Sequence, residues 1–371
     1  MKFLHTGDWQ LGMKAASVGQ VGQQVRAQRL EAGKRVVEVA RTHQVDCILV
    51  AGDLFEDNGV SRLLVQQAAD ILGAFPGPVY IIPGNHDPLV PGSVWEHNAW
   101  ERHDNLHVLR KAEPLTLPGG TCLFPCPLFD KYSRKNPTAW IDTTGEAAGI
   151  RIGLAHGTVE GVAQDEPDYP IPRDAAEQAG LDYLALGHWH SKSYYPDSSQ
   201  AVRMAYSGTH ETSKFGERES GNVLVVEIDA PGDAPRITPV RTGGLSWLTW
   251  SVTLQEQGDL KRQLDSLLEV ENPEKVLLEL RLSGLLPLDE EPLLREMRDI
   301  AESRFLFARL ETSGLLPSPE DDSWIMQLPA GIMQQTATAL QHQASTALPE
   351  TEEAQIATLA LFQLFRLSKE I

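Results

Sequence analysis

Five segments of this 371-residue chain end an apolar run with side chains able to bind a divalent cation. Gly7-Asp8-Trp9-Gln10 follows KFLHT, Asp53 follows DCILVAG, and Asn85-His86-Asp87 follows PVYIIPG. His156-Gly157 follows IGLA, and His188-Trp189-His190 follows LALG. Carboxylate, amide and imidazole donors without a thiolate suit Mn²⁺, Fe²⁺ or Zn²⁺ better than a structural zinc cage. A carboxylate shared between two ions, with His and Asn completing the set, is what two-metal phosphoester hydrolysis requires. Ions roughly 3.5–4 Å apart clamp the phosphoryl oxygens and stabilise an in-line displacement. Taken singly, Gly-Asp after a strand is commonly a turn, and a lone His is commonly a satisfied polar residue. Five in order, each at a strand end beside Gly, point to a binuclear metal site.

An α/β frame must position these residues. The runs KFLHT, DCILVAG, PVYIIPG, IRIGLAH, DYLALGH, VRMAYSG and NVLVVEI suit strands buried on both faces. VRAQRLEAGKRVVEVARTH and SRLLVQQAADILGAF carry apolar residues at helical spacing between the first three. This rhythm predicts an α/β class fold, a β-sandwich flanked by helices, whose ligands gather at the C-terminal ends of strands. Residues 230–244, APGDAPRITPVRTGG, read as a linker or edge passage. A second, smaller α/β segment follows, with strands LTWSVTL, VLLELRL and FLFARLE and helices DLKRQLDSLLEV and EPLLREMRDIAES. LLPSPEDDS breaks that pattern, and the tail from Trp324 is helical. The expected divisions are therefore 1–240, 245–325 and 326–371.

Composition sets the outer limits. Hydrophobic residues at 42%, charged at 22% and aromatic at 7% exclude a disordered, collagen-like or fibrous chain. No apolar run approaches the roughly 18–20 residues needed to cross a bilayer, so no membrane partner is expected. MKFLHTGDWQ has an acid where a signal peptide would continue its apolar stretch. Cys47, Cys122 and Cys126 are too few for a disulfide framework and sit in apolar stretches, so the expected compartment is cytoplasmic. The net charge of -19 would repel duplex DNA at long range unless metal ions, a local basic patch or a partner changes the field. Lys131, Arg134 and Lys135 surround Tyr132 in FDKYSRKN, a set that suits phosphates and a base, or simply an exposed polar loop. Trp9, Trp95, Trp100 and Trp189 would line a cleft or pack a core, and His97, His103 and His107 show no ligand spacing.

The motifs carry a resemblance. Residues 1–229 resemble the calcineurin-like metallophosphoesterase superfamily, whose pattern runs D-x-H, GD, GNH[DE], H and GHxH. More narrowly, LHTGDWQLG, GDLFED, IPGNHD, GHWHS and the later YSGTHETSKFGERESGNVLVVEI resemble the SbcD-type DNA repair nuclease family. The resemblance implies a nuclease core at 1–240, a cap domain at 245–325, and a C-terminal segment that docks on the coiled coil of an SbcC-type ATPase. It also implies two divalent ions, with Mn²⁺ the first expectation, DNA as substrate and a homodimer. Carried over by residue, one ion takes Asp8, position 10, Asp53 and His190. The second shares Asp53 and adds Asn85, His156 and His188. His86 sits beside the scissile phosphate, contacting it or protonating the leaving oxygen, and Asp87 orients its ring.

Gln10 departs from the pattern, which has His there. An amide oxygen binds a hard cation but is a weaker donor than imidazole for Mn²⁺ or Zn²⁺. Three readings stand: an ion held with Gln or water in that place, a weakly bound ion, or a nearly inactive scaffold. The expected function is metal-dependent hydrolysis of DNA phosphodiesters as an SbcD-like subunit. The alternatives are a phosphoesterase for a small molecule or lipid, and a non-catalytic binding subunit. ATLALFQLFRL places Leu359, Phe362, Leu364, Phe365 and Leu367 mostly on one broad helical face, suited to a partner groove or to its own cap.

Overall fold

The seven apolar runs of residues 1–229 each form a strand, and the helical patterns between them form helices. The structure is a computed structural model that describes residues 1–142, 149–162, 168–255, 257–317, 323–346 and 351–370. It divides into two compact units, Met1–Ser246 and Trp247–Ile371.

The first unit begins with β1 (Lys2–Thr6), α1 (Gly22–Thr42), β2 (Cys47–Ala51), α2 (Arg62–Gly73), β3 (Val79–Ile82) and β4 (Leu106–Val108). It continues with β5 (Leu115–Thr116), β6 (Cys122–Pro125), β7 (Arg151–His156), α3 (Ala175–Gln178), β8 (Tyr183–Gly187) and β9 (Ser193–Pro196). β10 (Val202–Tyr206), β11 (Asn222–Glu227) and β12 (Arg236–Arg241) complete it. One sheet has the order β12-β11-β1-β2-β3-β4 and the other β5-β6-β7-β8-β10-β9. β1 to β4 run parallel, as do β6, β7, β8 and β10, with antiparallel strands at the margins.

Three apolar layers explain why the strands read as continuous hydrophobic runs. Phe3, Leu49, Ile82 and Val226 of the first sheet meet Leu123, Ile152, Leu154 and Tyr183 of the second. The other face of the first sheet, with Leu4, Ile48, Val50 and Ile81, packs on Val36, Val37 and Ala40 of α1 and Val65, Ala68 and Leu72 of α2. Those helical positions recur three and four residues apart, as a core-facing stripe must. Ser61 caps α2 by accepting a hydrogen bond from the Leu64 amide. The outer face of the second sheet packs Leu184, Leu186 and Met204 on Ala175, Ala176 and Ala179 around α3. The result is a two-sheet sandwich flanked by helices, with the parallel strands of both sheets delivering their C-terminal ends to one site.

The passage expected at 230–244 holds β12, an edge strand. Trp9, Trp95 and Trp100 are core residues, whereas Trp189 is partly exposed. All three cysteines are unpaired, and burial pushes the Cys126 thiol up to about 12.

The second unit holds β13 (Ser246–Leu254), α4 (Asp259–Leu268), β14 (Val276–Leu286), α5 (Glu291–Arg304) and β15 (Phe307–Pro317). The sheet order is β13-β14-β15, and Leu278, Leu280 and Leu282 of β14 pack on Leu260, Leu264, Met297 and Ala301 from α4 and α5. α6 (Trp324–Gln327), α7 (Ile332–Thr346) and α8 (Glu352–Glu370) follow. The break read at LLPSPEDDS falls largely on 318–322, outside the described residues. The tail expected as a separate segment shares this unit: Leu361 and Phe365 of α8 bury against Leu285, Trp324 and Ile325. Among the described residues, no helix is long and apolar enough to cross a membrane.

Candidate metal centre

The strand ends turn sharply into the site. Asp8, Gln10, Asp53 and His188 have positive φ, at 54°, 40°, 50° and 110°. Non-glycine residues in that region cost roughly 1–3 kcal/mol each and persist only where surrounding structure imposes them. Much of that imposition comes from Arg29 of α1, whose buried guanidinium donates to the carbonyls of Asp8, Trp9 and Glu211 and to Thr209 Oγ1. Thr209 Oγ1 in turn donates to the Asp8 carbonyl at 2.7 Å. Gly84 and Gly187 permit the strand ends to converge. A Cβ on Gly84 would collide with Asp53, and one on Gly187 with the Ala51 carbonyl and the His156 ring.

Asp53, His156 and His188 place ligand atoms within 4.8 Å of one another. Asn85 Oδ1 lies 2.8 Å from His156 Nε2 and 3.1 Å from His188 Nδ1. Its orientation is set by its own side-chain amide, which donates to Asp168 Oδ2 at 3.5 Å. His156 Nδ1 donates to the Ala51 carbonyl at 2.8 Å, which commits Nε2 to the site, 3.3 Å from Asp53 Oδ2. Burial alone would lower the His156 pKa, but the Asp53 carboxylate overrides it and raises it to about 9. Burial together with the His156 charge pushes the His188 pKa down to about 3. Lone-pair atoms of one carboxylate, one amide and two imidazoles thus converge, a donor set that fits a divalent cation.

The set expected for the other ion adjoins it. Asp8 is fully buried, and both of its carboxylate oxygens accept from the His188 backbone amide, at 2.9 and 3.0 Å. Burial raises its pKa to about 6 against the pull of His156 and His190, the charge penalty a bound cation would relieve. Gln10 is buried, with its backbone amide donating to the Asp53 carbonyl at 2.9 Å. His190 Nδ1 is held by Glu217 Oε1 at 2.7 Å.

A model of the calcineurin-like phosphoesterase family matches residues 1–192. The chain belongs to that family. A curated relative, the uncharacterized metallophosphoesterase YhaO of Bacillus subtilis, is 27% identical over 230 residues, covering 56% of this chain. The chain spans 55% of that relative's length. Among solved structures, TT1561 of Thermus thermophilus aligns with 65% of this chain and 98% of its own, at a TM-score of 0.42 and 11% identity. A dimetal phosphatase from Danio rerio aligns with 64% of this chain and 98% of its own, at a TM-score of 0.38 and 11% identity.

In this calcineurin-like phosphoesterase, then, the converging side chains form a candidate divalent-metal site. Asp8, Gln10, Asp53, Asn85, His156 and His188 all lie at the strand ends, and His190 lies on the same turn as His188. The role expected of Asp87 needs correction. Its carboxylate is fully buried and accepts from the amides of Phe55 at 2.9 Å and Gly84 at 2.8 Å. The His86 ring is oriented instead by the Glu56 carbonyl, which accepts from Nδ1 at 2.9 Å, while the His86 amide donates to Asp53 Oδ1. Asp87 therefore shapes the turn that carries Asn85 and His86.

Lys131, Arg134 and Lys135 belong to a loop tied to the centre. The Ser133 amide donates to Asp168 Oδ1 at 2.8 Å, and Asp168 also holds the Asn85 side-chain amide. Asp168, Glu56, Arg29 and Glu217 are contributions that the sequence reading missed. The signal available for Glu217 was its place in the late FGERES segment, and a backbone carbonyl such as that of Glu56 leaves no sequence signal.

Proposed function

We propose that this metallophosphoesterase hydrolyses phosphodiester bonds of DNA, as the SbcD-like nuclease subunit of a complex with an SbcC-like ATPase. The loop at 129–136 carries this reading. Phe129 and Tyr132 are exposed, at 47% and 73%, and Lys131 Nζ lies 5.7 Å from the Tyr132 ring. The Tyr169 amide donates to the Ser133 carbonyl, and its hydroxyl to the Asp130 carbonyl, which fixes the loop beside the Asn85 end of the site. An aromatic face among cations, next to a metal ligand, suits a stacked base and its phosphates. Divalent ions, Mn²⁺ in this proposal, supply charge to the phosphoryl oxygens when bound. His86, with Nδ1 committed to Glu56, has Nε2 as the nitrogen for passing a proton to the leaving oxygen.

The partner reading is supported by α7 and α8. An apolar groove of about 460 Å³ runs between them, lined by Leu340, Ile356, Leu359, Leu364 and Leu367. Such a groove suits a helix of a coiled coil. A small-molecule or lipid phosphodiester is the second reading, favoured by the net charge of -19. A Lys131→Ala, Tyr132→Ala double variant separates the two. On the nuclease reading it loses cleavage of single-stranded DNA and keeps hydrolysis of bis-p-nitrophenyl phosphate. Unchanged cleavage of both substrates contradicts the role given to the loop.

A further inference from the structure

Glu217 is a buried carboxylate outside the ligand set, with its side chain 3% exposed. Its Oε1 accepts from His190 Nδ1 at 2.7 Å and from Ser213 Oγ at 2.5 Å, and its Oε2 accepts from the Ser213 amide at 2.8 Å. Burying a carboxylate costs several kcal/mol unless it is paired, so its place against an imidazole has a compensating return. The three imidazoles of the site are held differently. His156 passes its Nδ1 hydrogen to a backbone carbonyl, and His188 turns Nδ1 toward Asn85. His190 passes its own to a carboxylate, the acceptor that polarises a ring most strongly.

We propose that Glu217, braced by Ser213, is a positioning residue that reserves His190 Nε2 for the ion shared with Asp8 and Gln10. The carboxylate fixes the tautomer and the ring plane and makes Nε2 a stronger donor. It does so in the set that has an amide where the family pattern has a second imidazole. This rests on the two-ion reading of the site. A purely structural strap would also explain the contact, but it would affect folding and both ions alike.

Mn²⁺ titration of the metal-free full-length chain, with free Mn²⁺ followed by its electron paramagnetic resonance signal, separates these cases. Wild type should show two binding classes. Glu217→Ala should weaken one class by about ten- to hundredfold and leave the other in place. Glu217→Gln, which keeps an oxygen acceptor but not the charge, should recover part of that loss. Should the Ala variant melt below the assay temperature, Glu217→Gln decides alone, and a selective loss of one class supports the proposal. Variants that are folded and match wild type in both classes, or weaken both equally, overturn it. A wild-type chain that takes up no Mn²⁺ overturns the two-ion reading and the proposal with it, an outcome distinct from unaltered variants.

Discussion

On the proposed two-ion reading, Gln10 is the residue on which activity at low metal turns. Its side chain would offer a neutral amide oxygen in place of an imidazole, with Asp8, Asp53 and His190 as the other proposed ligands of that ion. The exchange costs about 1–3 kcal/mol, by analogy with losing a hydrogen bond to a charged group. That corresponds to a roughly ten- to hundredfold weaker ion. Gln10→His should therefore lower the Mn²⁺ concentration needed for phosphodiester hydrolysis by about that factor, in side-by-side titrations. Its backbone φ of 40° lies in a region where His is enriched, so the substitution fits the fold. An equal requirement in both proteins would show that position 10 holds no ion. His86 gives a second prediction. His86→Ala should lower hydrolysis about 10²–10⁴-fold while metal content, measured by atomic emission, stays unchanged. Loss of an ion would instead make His86 a ligand. The convergence of Asp53, His156 and His188 was legible because a strand-end Asp or His in a parallel sheet has one place to go. Glu217 and Asp168 were not, because they reach His190 and Asn85 from sequence-distant segments. The correction at Asp87 has a related cause: sequence adjacency to His86 says nothing of a carboxylate turned toward two backbone amides.

At the level of elements, the strained turns depend on a strap from α1. Arg29 donates to three carbonyls and a hydroxyl that join the turn after β1 to the segment after β10. Arg29→Met would remove the guanidinium donors of the Trp9 carbonyl and leave the Asp8 and Glu211 carbonyls only the Thr209 hydroxyl to share, at about 1–3 kcal/mol for each acceptor left unpaired where no water replaces the donor. Chemical denaturation should show a loss of several kcal/mol in the variant, and the Mn²⁺ requirement should rise because Asp8 is no longer fixed. Unchanged stability would show the strap to be incidental. The parallel strands and their helices were legible as apolar runs alternating with helical stripes. β4 and β5 are too short for a pattern, and β12 carries Pro239 on an exposed edge, so these were not. In the second unit, α8 was legible as an apolar helix, but which side it buries was not. Phe365 meets Trp324 edge-on at 5.0 Å, whereas Ile356 and Leu367 remain exposed. A chain ending at Thr346 should melt lower because Trp324 and Leu285 lose their cover. Ile356→Asp should leave melting unchanged and abolish binding to a coiled-coil ATPase partner, and retained binding would contradict docking at this groove.

For the whole molecule, charge limits what the chain can grip by itself. With 51 acidic against 32 basic residues, the net charge opposes long-range attraction to DNA, and on the proposed reading local cations such as Lys131 and Lys135 supply the contact. Affinity of the isolated chain for DNA should be weak, should fall steeply between about 50 and 200 mM salt, and should rise when the ATPase partner is added. Fluorescence anisotropy with a labelled oligonucleotide reads this directly. Tight, salt-insensitive binding by the chain alone would contradict the division of labour proposed here.

The central claim is that Asp53 is shared by two ions at the meeting point of the strand ends. Metal analysis of Asp53→Ala beside wild type, both loaded with Mn²⁺ and freed of excess by gel filtration, tests it most directly. The account predicts close to two equivalents in wild type and a loss of more than one in the variant, with the fold retained by circular dichroism. Retention of both ions by Asp53→Ala would contradict it.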